Sequence, residues 1–283
     1  MTPEKKASMK NKNNAPKRSD AENFKNSPSV KEGNISDYKD KGVVQRENKP
    51  KLVLKFNNVT KRFAVKTAVK NCSITLNKGE VMAVMAPEGH GKSTLAKLAA
   101  GLIRPSEGDV LVRGVKAGRE TNSIVSYQPD IPYFKYDTTV SELLNMYSRF
   151  FKDFSYRKAY QLLKHFDISR RTRFENLSTT ALFIVQVIMI SSRRASLYIF
   201  DDPIVHCDPK YRDDIISMID KCRKYGGVLL LSQIAGGLDD ITDKAVFLKH
   251  GEIAGEPYDA DSFEAEFGSS LLNDVYKEVF KHA

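Results

Sequence analysis

Apolar residues are sparse in the first fifty positions, and from Lys51 onward they arrive in short, bounded runs. KLVLKFNNV (51–59), CSITLN (72–77) and EVMAVMA (80–86) are each closed by polar or glycine residues, which predicts three strands. KSTLAKLAAGLI (92–103) reads as a helix, after which DVLVRG (109–114) and SIVSYQ (123–128) return to strand. From about Val140 to Ile190 the pattern is helical, with apolar spacings of three and four in TVSELLNMYSRF and YRKAYQLLKHF. The strand SLYIF, the helix KYRDDIISMIDKCRKY, the strand GVLLLS and the strand KAVFLKHGEI follow. Strands alternating with helices, several apolar on both faces, predict an α/β fold with a mainly parallel sheet covered on two sides. No internal repeat interrupts this order.

Residues 1–50 are rich in Lys, Asn, Ser, Asp and Glu and lack aliphatic periodicity. Such a segment buries too little apolar area to offset its ordering entropy, so a disordered basic tail is expected. It reads as a solvated tail or, if its charges cluster near a membrane, as an arm for anionic lipid.

Composition narrows the picture further. With 283 residues and 41% hydrophobic content, the chain suffices for one large or two small globular domains. The formal net charge is +10, but roughly half of that excess lies in the tail, so no nucleic-acid partner is expected from charge alone. Cys72, Cys207 and Cys222 have no metal-ligand spacing and suggest reduced, buried thiols in a cytosolic protein. The longest apolar run, ALFIVQVIMI at 181–190, is about half the length a bilayer-spanning helix needs, and the N-terminus is too polar for a signal peptide. Any membrane role then requires a separate spanning chain.

Chemistry concentrates first at Met85-Ala-Pro-Glu-Gly-His-Gly-Lys-Ser-Thr94, which follows an apolar strand and opens a helix. That is the setting of a phosphate-binding loop of the form G-x-x-x-x-G-K-S/T. Small residues let backbone N–H groups face phosphates, a lysine reaches the outer phosphates, and a hydroxyl serves Mg²⁺. Gly89, Gly91, Lys92 and Ser93 supply these parts, Thr94 follows them, and Ala86 replaces the first glycine. Glu88 sets a negative charge beside a polyphosphate. Protonated His90 could offset it, or both side chains point out of the cradle.

About a hundred residues later, the strand LYIF ends in Asp201 and Asp202. Beside a phosphate loop these fit the second half of a nucleoside triphosphatase site, with Asp201 holding Mg²⁺ and Asp202 orienting or deprotonating the attacking water.

With these motifs in this order, residues 51–283 resemble the nucleotide-binding subunit of an ATP-binding cassette (ABC) transporter. The resemblance implies a P-loop NTPase fold of the RecA-like type, binding ATP and Mg²⁺. A nucleotide-binding domain is expected over 51–258, with an N-terminal antiparallel β-subdomain and a helical subdomain at about 135–190. A short C-terminal helical extension is expected over 259–283. Phe63 in VTKRF takes the place of an aromatic that stacks on adenine. Gln128 in SYQP matches a glutamine that touches Mg²⁺ and the attacking water, and Asp208 in VHCDP matches an aspartate that reaches the other subunit. KAVFLKHGEI resembles the family's late hairpin and SSLLNDVYKEVF the C-terminal helix of exporter-type members. The resemblance implies a dimer, homo- or heteromeric, with a separate transmembrane permease at the cytoplasmic face of the membrane.

Three positions depart from that pattern. The signature segment, usually LSGGQ, reads Leu177-Ser-Thr-Thr-Ala181, so Ser178 remains while both glycines are β-branched threonines that crowd a phosphate. Gln233 stands where the family has a histidine at the γ-phosphate, and it can donate a hydrogen bond but carries no charge. Asp202 stands where the longer Glu is usual, which shortens its reach. His206 either substitutes for the missing histidine or is a loop histidine near the dimer interface. ATP binding with slow hydrolysis in an exporter is the leading expectation, and a pseudo-ATPase acting as a regulatory or scaffold subunit is the alternative.

Overall fold

The computed structural model describes residues 51–259 and 271–281; the expected tail at 1–50 lies outside the described residues. Strands β1 (Leu52–Arg62), β2 (Thr67–Asn77), β4 (Glu107–Val112) and β5 (Val115–Lys116) form an antiparallel sheet in the order β2-β1-β4-β5. Its strands follow one-sided burial. In β2, Cys72, Ile74 and Leu76 point inward while Asn71, Ser73 and Thr75 face out, the period-2 pattern of a sheet with one covered face.

A second sheet runs in the order β10-β9-β3-β8-β7-β6. Its strands are β3 (Val81–Met85), β6 (Val125–Gln128), β7 (Leu197–Asp201), β8 (Gly227–Ser232), β9 (Lys244–Lys249) and β10 (Glu252–Asp259). All pairings are parallel except β9 with β10. Every residue of β3, β7 and β8 is buried, as expected of strands covered on both faces. Alternate residues feed two cores. Val81, Ala83, Met85, Tyr198, Phe200, Val228 and Leu230 pack toward the helices of the middle of the chain. Met82, Val84, Leu197, Ile199, Leu229 and Leu231 pack toward the antiparallel sheet and helix α1 (Lys92–Ala99).

Helices α2 (Val140–Phe150), α3 (Tyr156–His165) and α4 (Thr179–Ser191) occupy the predicted helical stretch. A capping box between Thr139 and Glu142 starts α2, satisfying two of the N–H groups left free at a helix start. The apolar run predicted as too short for a bilayer is α4, which is buried continuously from Phe183 to Ser191. No helix among the described residues is long and apolar enough to cross a membrane. Helices α5 (Arg212–Asp220) and α6 (Leu272–Val279) complete the set among the described residues.

Three details differ from the sequence reading. KAVFLKHGEI, one strand by its apolar run but a late hairpin by resemblance, is the hairpin β9–β10, reversed at His250 and Gly251, whose φ angles are +50 and +84. The first helix stops at Ala99 rather than Ile103, because Gly101 turns left-handed at φ +71 against the backbone of Gly118. The helix predicted over Lys210 to Tyr225 is α5 flanked by tighter turns at Pro209–Tyr211 and Lys221–Lys224. The three cysteines are buried and unbridged, and burial pushes the thiols of Cys72 and Cys222 up to about 12.

Candidate functional site

The loop between β3 and α1 depends on two left-handed glycines. Gly89 has φ +81 and Gly91 φ +106, and a Cβ on Gly91 would lie 2.3 Å from the Ala68 carbonyl oxygen. Gly91 is also the N-cap of α1 and offers no capping side chain, so the first-turn N–H groups remain available to an anion. Lys92 is buried, and its Nζ donates to the carbonyls of Ala86 at 2.8 Å and Pro87 at 3.1 Å. These bonds curl the lysine back under the loop, with Asp202 Oδ2 3.5 Å away.

Asp201 ends β7 and is completely buried, yet neither carboxylate oxygen meets a hydrogen-bond donor of acceptable geometry. Burial raises its pKa to about 7; the nearby Ser93 hydroxyl and Lys92 offset part of the rise, whereas Asp130 and Asp202 add to it. Gln128, at the end of β6, donates through Nε2 to Pro129 O and, at 3.5 Å, to Asp201 O, while its Oε1 is buried without a partner. Orphaned buried acceptors are costly unless something compensates them. Uncompensated oxygens on Asp201 and Gln128, close to the Ser93 hydroxyl, fit a hard cation that prefers oxygen ligands.

Asp202 adopts φ +50, a left-handed conformation that Asp tolerates better than longer residues. That backbone folds its carboxylate inward, so that Oδ1 accepts the Gln233 N–H at 2.8 Å. Burial raises its pKa and Lys92 opposes the rise.

These groups surround a cavity of about 270 Å³. Glu88, Gly89, Gly91, Lys92, Ser93 and Thr94 form the loop wall; Lys66, Ala68, Asp130, Asp202, His206 and Gln233 form the rest. Sequence reasoning missed Lys66, Ala68 and Asp130. Each sits within a few residues of a recognised position, Phe63 or Gln128, and that proximity was the available signal. Asp201 and Gln128 lie buried at neighbouring strand ends, and Ala86 contributes its carbonyl to Lys92.

Other expected residues lie off this cavity. Of the two alternatives for His90, the ring takes the outward one: it does not line the cavity but packs edge-on to His250 and face-on to Phe280. Burial lowers its pKa, and His250, Lys92 and Lys249 lower it further. Phe63 is 46% exposed beside Lys61, whose Nζ lies 5.2 Å from the ring centroid, and it belongs to the same β1–β2 connection as Lys66. Ser178 is the N-cap of α4, its hydroxyl accepting the Ala181 N–H at 3.2 Å, away from the chain's own loop. The Thr180 hydroxyl reaches His206 O at 3.4 Å, and the His206 ring lies against Phe183. Asp208 accepts the Lys210 N–H at 3.0 Å, as a turn residue does.

Comparison with known proteins agrees with this geometry. Residues 69–205 match the ABC transporter domain family. The chain is 26% identical over 216 residues to the uncharacterized ABC transporter ATP-binding protein YxlF of Bacillus subtilis (strain 168), covering 71% of this chain and 70% of that one. Among solved structures it resembles an ATP-binding subunit of an ABC transporter with a TM-score of 0.73 at 22% identity, covering 81% of this chain and 99% of the other. It also resembles the dimeric, post-hydrolysis cassette MJ0796 bound to ADP and Pi, with a TM-score of 0.66 at 18% identity, covering 73% and 98%. A phosphate loop, an acid pair and a strand-end glutamine seated in this order on this fold, together with those matches, show an ABC transporter domain over residues 69–205 and the fold of an ATP-binding cassette, similar to ABC transporter ATP-binding proteins.

Proposed function

We propose that this subunit binds MgATP and hydrolyses it slowly, coupling nucleotide occupancy to a separate membrane-spanning subunit of an exporter at the cytoplasmic face of the membrane. The observation that carries the reading is the split between the two acids. Asp201 has buried, unpartnered oxygens and would hold Mg²⁺ with Ser93 and Gln128, while Asp202 is committed to Lys92 and to the Gln233 N–H. The bound ion would neutralise phosphate charge. A carboxylate already engaged twice is a poor base, and a displacement of about 1 Å in a catalytic group can cost about 10²-fold.

The dimeric arrangement named for one similar cassette is the expected working form, as a homodimer or heterodimer. In such a dimer Ser178 would face the partner's nucleotide, and Thr179 and Thr180 would narrow that approach. An aromatic groove of about 500 Å³ formed by Tyr133, Met146, Tyr147, Phe150 and Phe151 suits a docking segment of the membrane subunit. Equilibrium binding of ATP with Mg²⁺ to wild type and Lys92→Ala tests the reading, alongside phosphate release in the presence of the membrane subunit. Wild type should bind at least about 10²-fold more tightly than the variant, and equal affinity would refute ATP recognition by this loop.

The alternative of a regulatory pseudo-ATPase is favoured by one combination: Thr179 and Thr180 in the signature, Gln233 in place of histidine, and the Lys92–Asp202 pair. Phosphate release indistinguishable between wild type and Asp202→Asn, with transport or regulation intact in both, would establish it.

A further inference from the structure

The His90 ring does not line the cavity that its neighbours line. What it meets is the C-terminal part of the chain. Its ring lies 5.9 Å from that of Phe280 at an interplanar angle of 15°, and 4.7 Å from His250 at 83°. Its Nδ1 is buried without a hydrogen-bond partner, so ring packing rather than polar contact fixes the side chain. The backbone is tied at the same place: Gly251 donates to His90 O at 3.1 Å and accepts the Lys70 N–H at 2.8 Å. The Ala68 carbonyl fits against Gly91 and Gly251 so closely that a Cβ on either would sit within 2.7 Å of it.

Phe280 is itself held on three sides. It packs against Phe247 of β9 and Tyr276 of α6, with ring centroids at 6.2 Å and 4.8 Å. Helix α6 is anchored through buried Leu272 and Val275, and the Leu272 N–H donates to Asp239 Oδ1 at 2.6 Å. Burial raises the pKa of the half-buried Tyr276 phenol, and the charge of Asp202 adds to the rise. Helix α6 and Phe280 thus brace the phosphate loop through the His90 ring.

We propose that Phe280 is a positioning residue for nucleotide binding, holding the phosphate loop in its binding shape through the ring of His90. A loop whose N–H groups must converge on phosphate loses affinity when its backbone is free to drift, because the lost order has to be restored on binding. This rests on the ATP-binding reading above.

The test uses the full chain and a fluorescent ATP analogue with Mg²⁺. Phe280→Leu keeps apolar volume in the core but removes the ring, Phe280→Tyr keeps the ring, and His90→Ala removes the partner. Circular dichroism and thermal melts select folded variants. Phe280→Leu and His90→Ala should each weaken the analogue roughly tenfold, the double variant should be no weaker than either single one, and Phe280→Tyr should bind like wild type. An affinity for Phe280→Leu within about twofold of wild type, or losses that multiply in the double variant, would overturn the proposal. Wild type that binds no analogue would instead sink the ATP-binding reading, and the proposal with it.

Discussion

Asp202 and Lys92 face each other across 3.5 Å at the base of the phosphate cavity, and both side chains are almost entirely buried. The pair couples the loop to the end of β7 before any nucleotide arrives. A polyphosphate must therefore compete with Asp202 for the lysine. Charges so placed interact more strongly than they would in bulk water.

Asp202→Asn removes that competition without changing shape. ATP affinity should rise roughly twofold to tenfold, while any turnover falls at least about tenfold because the amide cannot accept a proton. Equilibrium titration and phosphate release on one preparation measure both. Weaker ATP binding by the variant would mean that Asp202 assists the nucleotide rather than opposing it.

Asp201 makes stability depend on pH. Its folded-state pKa of about 7 is raised above the ordinary carboxylate range. Between those values the unfolded chain has ionised and the folded chain has not, so the metal-free protein should lose stability as pH rises through that window and level off above it. Asp201→Asn should flatten the profile and stabilise metal-free protein at pH 8 by on the order of 1–4 kcal/mol. Adding Mg²⁺ and ATP should stabilise wild type and not the variant. Urea unfolding at several pH values decides, and identical slopes for the two proteins would count against the buried, unpaired carboxylate.

The two loop glycines should respond differently to alanine. Both require left-handed backbone, which costs a non-glycine residue about 1–2 kcal/mol. At Gly89 a Cβ meets nothing within 4 Å, so Gly89→Ala should fold with only that strain and modestly weaker ATP binding. At Gly91 the Cβ would collide with the Ala68 carbonyl, forcing the loop off β2, so Gly91→Ala should cost more stability and abolish measurable binding. Thermal melts with and without ATP compare them, and equal effects would contradict the close approach at Ala68.

These contrasts mark where the sequence could be read and where it could not. The apolar runs of β3, β7 and β8 declare buried parallel strands, and the Gly-x-Gly-Lys-Ser core of the loop declares its chemistry. His90 was ambiguous because its orientation is decided by Phe280, from the opposite end of the described chain. The β9–β10 reversal was legible from the resemblance to a late hairpin but not from the residues alone, because the two-residue turn with positive φ at both positions is built from His250-Gly251 rather than the usual Asn-Gly or Asp-Gly. For Asp202 the sequence supports an argument about reach, but the φ of +50 and the partners Lys92 and Gln233 depend on strands brought together by folding.

Arg193 is the point where the helical part of the chain is fastened to the strand that carries Gln128. It is 2% exposed, follows α4, and donates at 2.6 Å to the carbonyls of both Ser123 and Val125. The same guanidinium meets both oxygens of Asp153, at 3.1 and 3.2 Å, and lies 3.8 Å from the Phe151 ring centroid. No other side chain presents a planar fork that satisfies four acceptors while stacking on an aromatic face. Arg193→Lys keeps the charge but leaves at least one buried acceptor unpaired, at a cost of roughly 2–4 kcal/mol; Arg193→Leu strands the carboxylate as well and should cost about 3–5 kcal/mol. ATP affinity of the folded variants should change little, since Arg193 does not line the phosphate cavity. Urea denaturation gives the first quantity and nucleotide titration the second. A loss below about 1 kcal/mol for Arg193→Lys would mean that the fork is dispensable to the attachment of the helices.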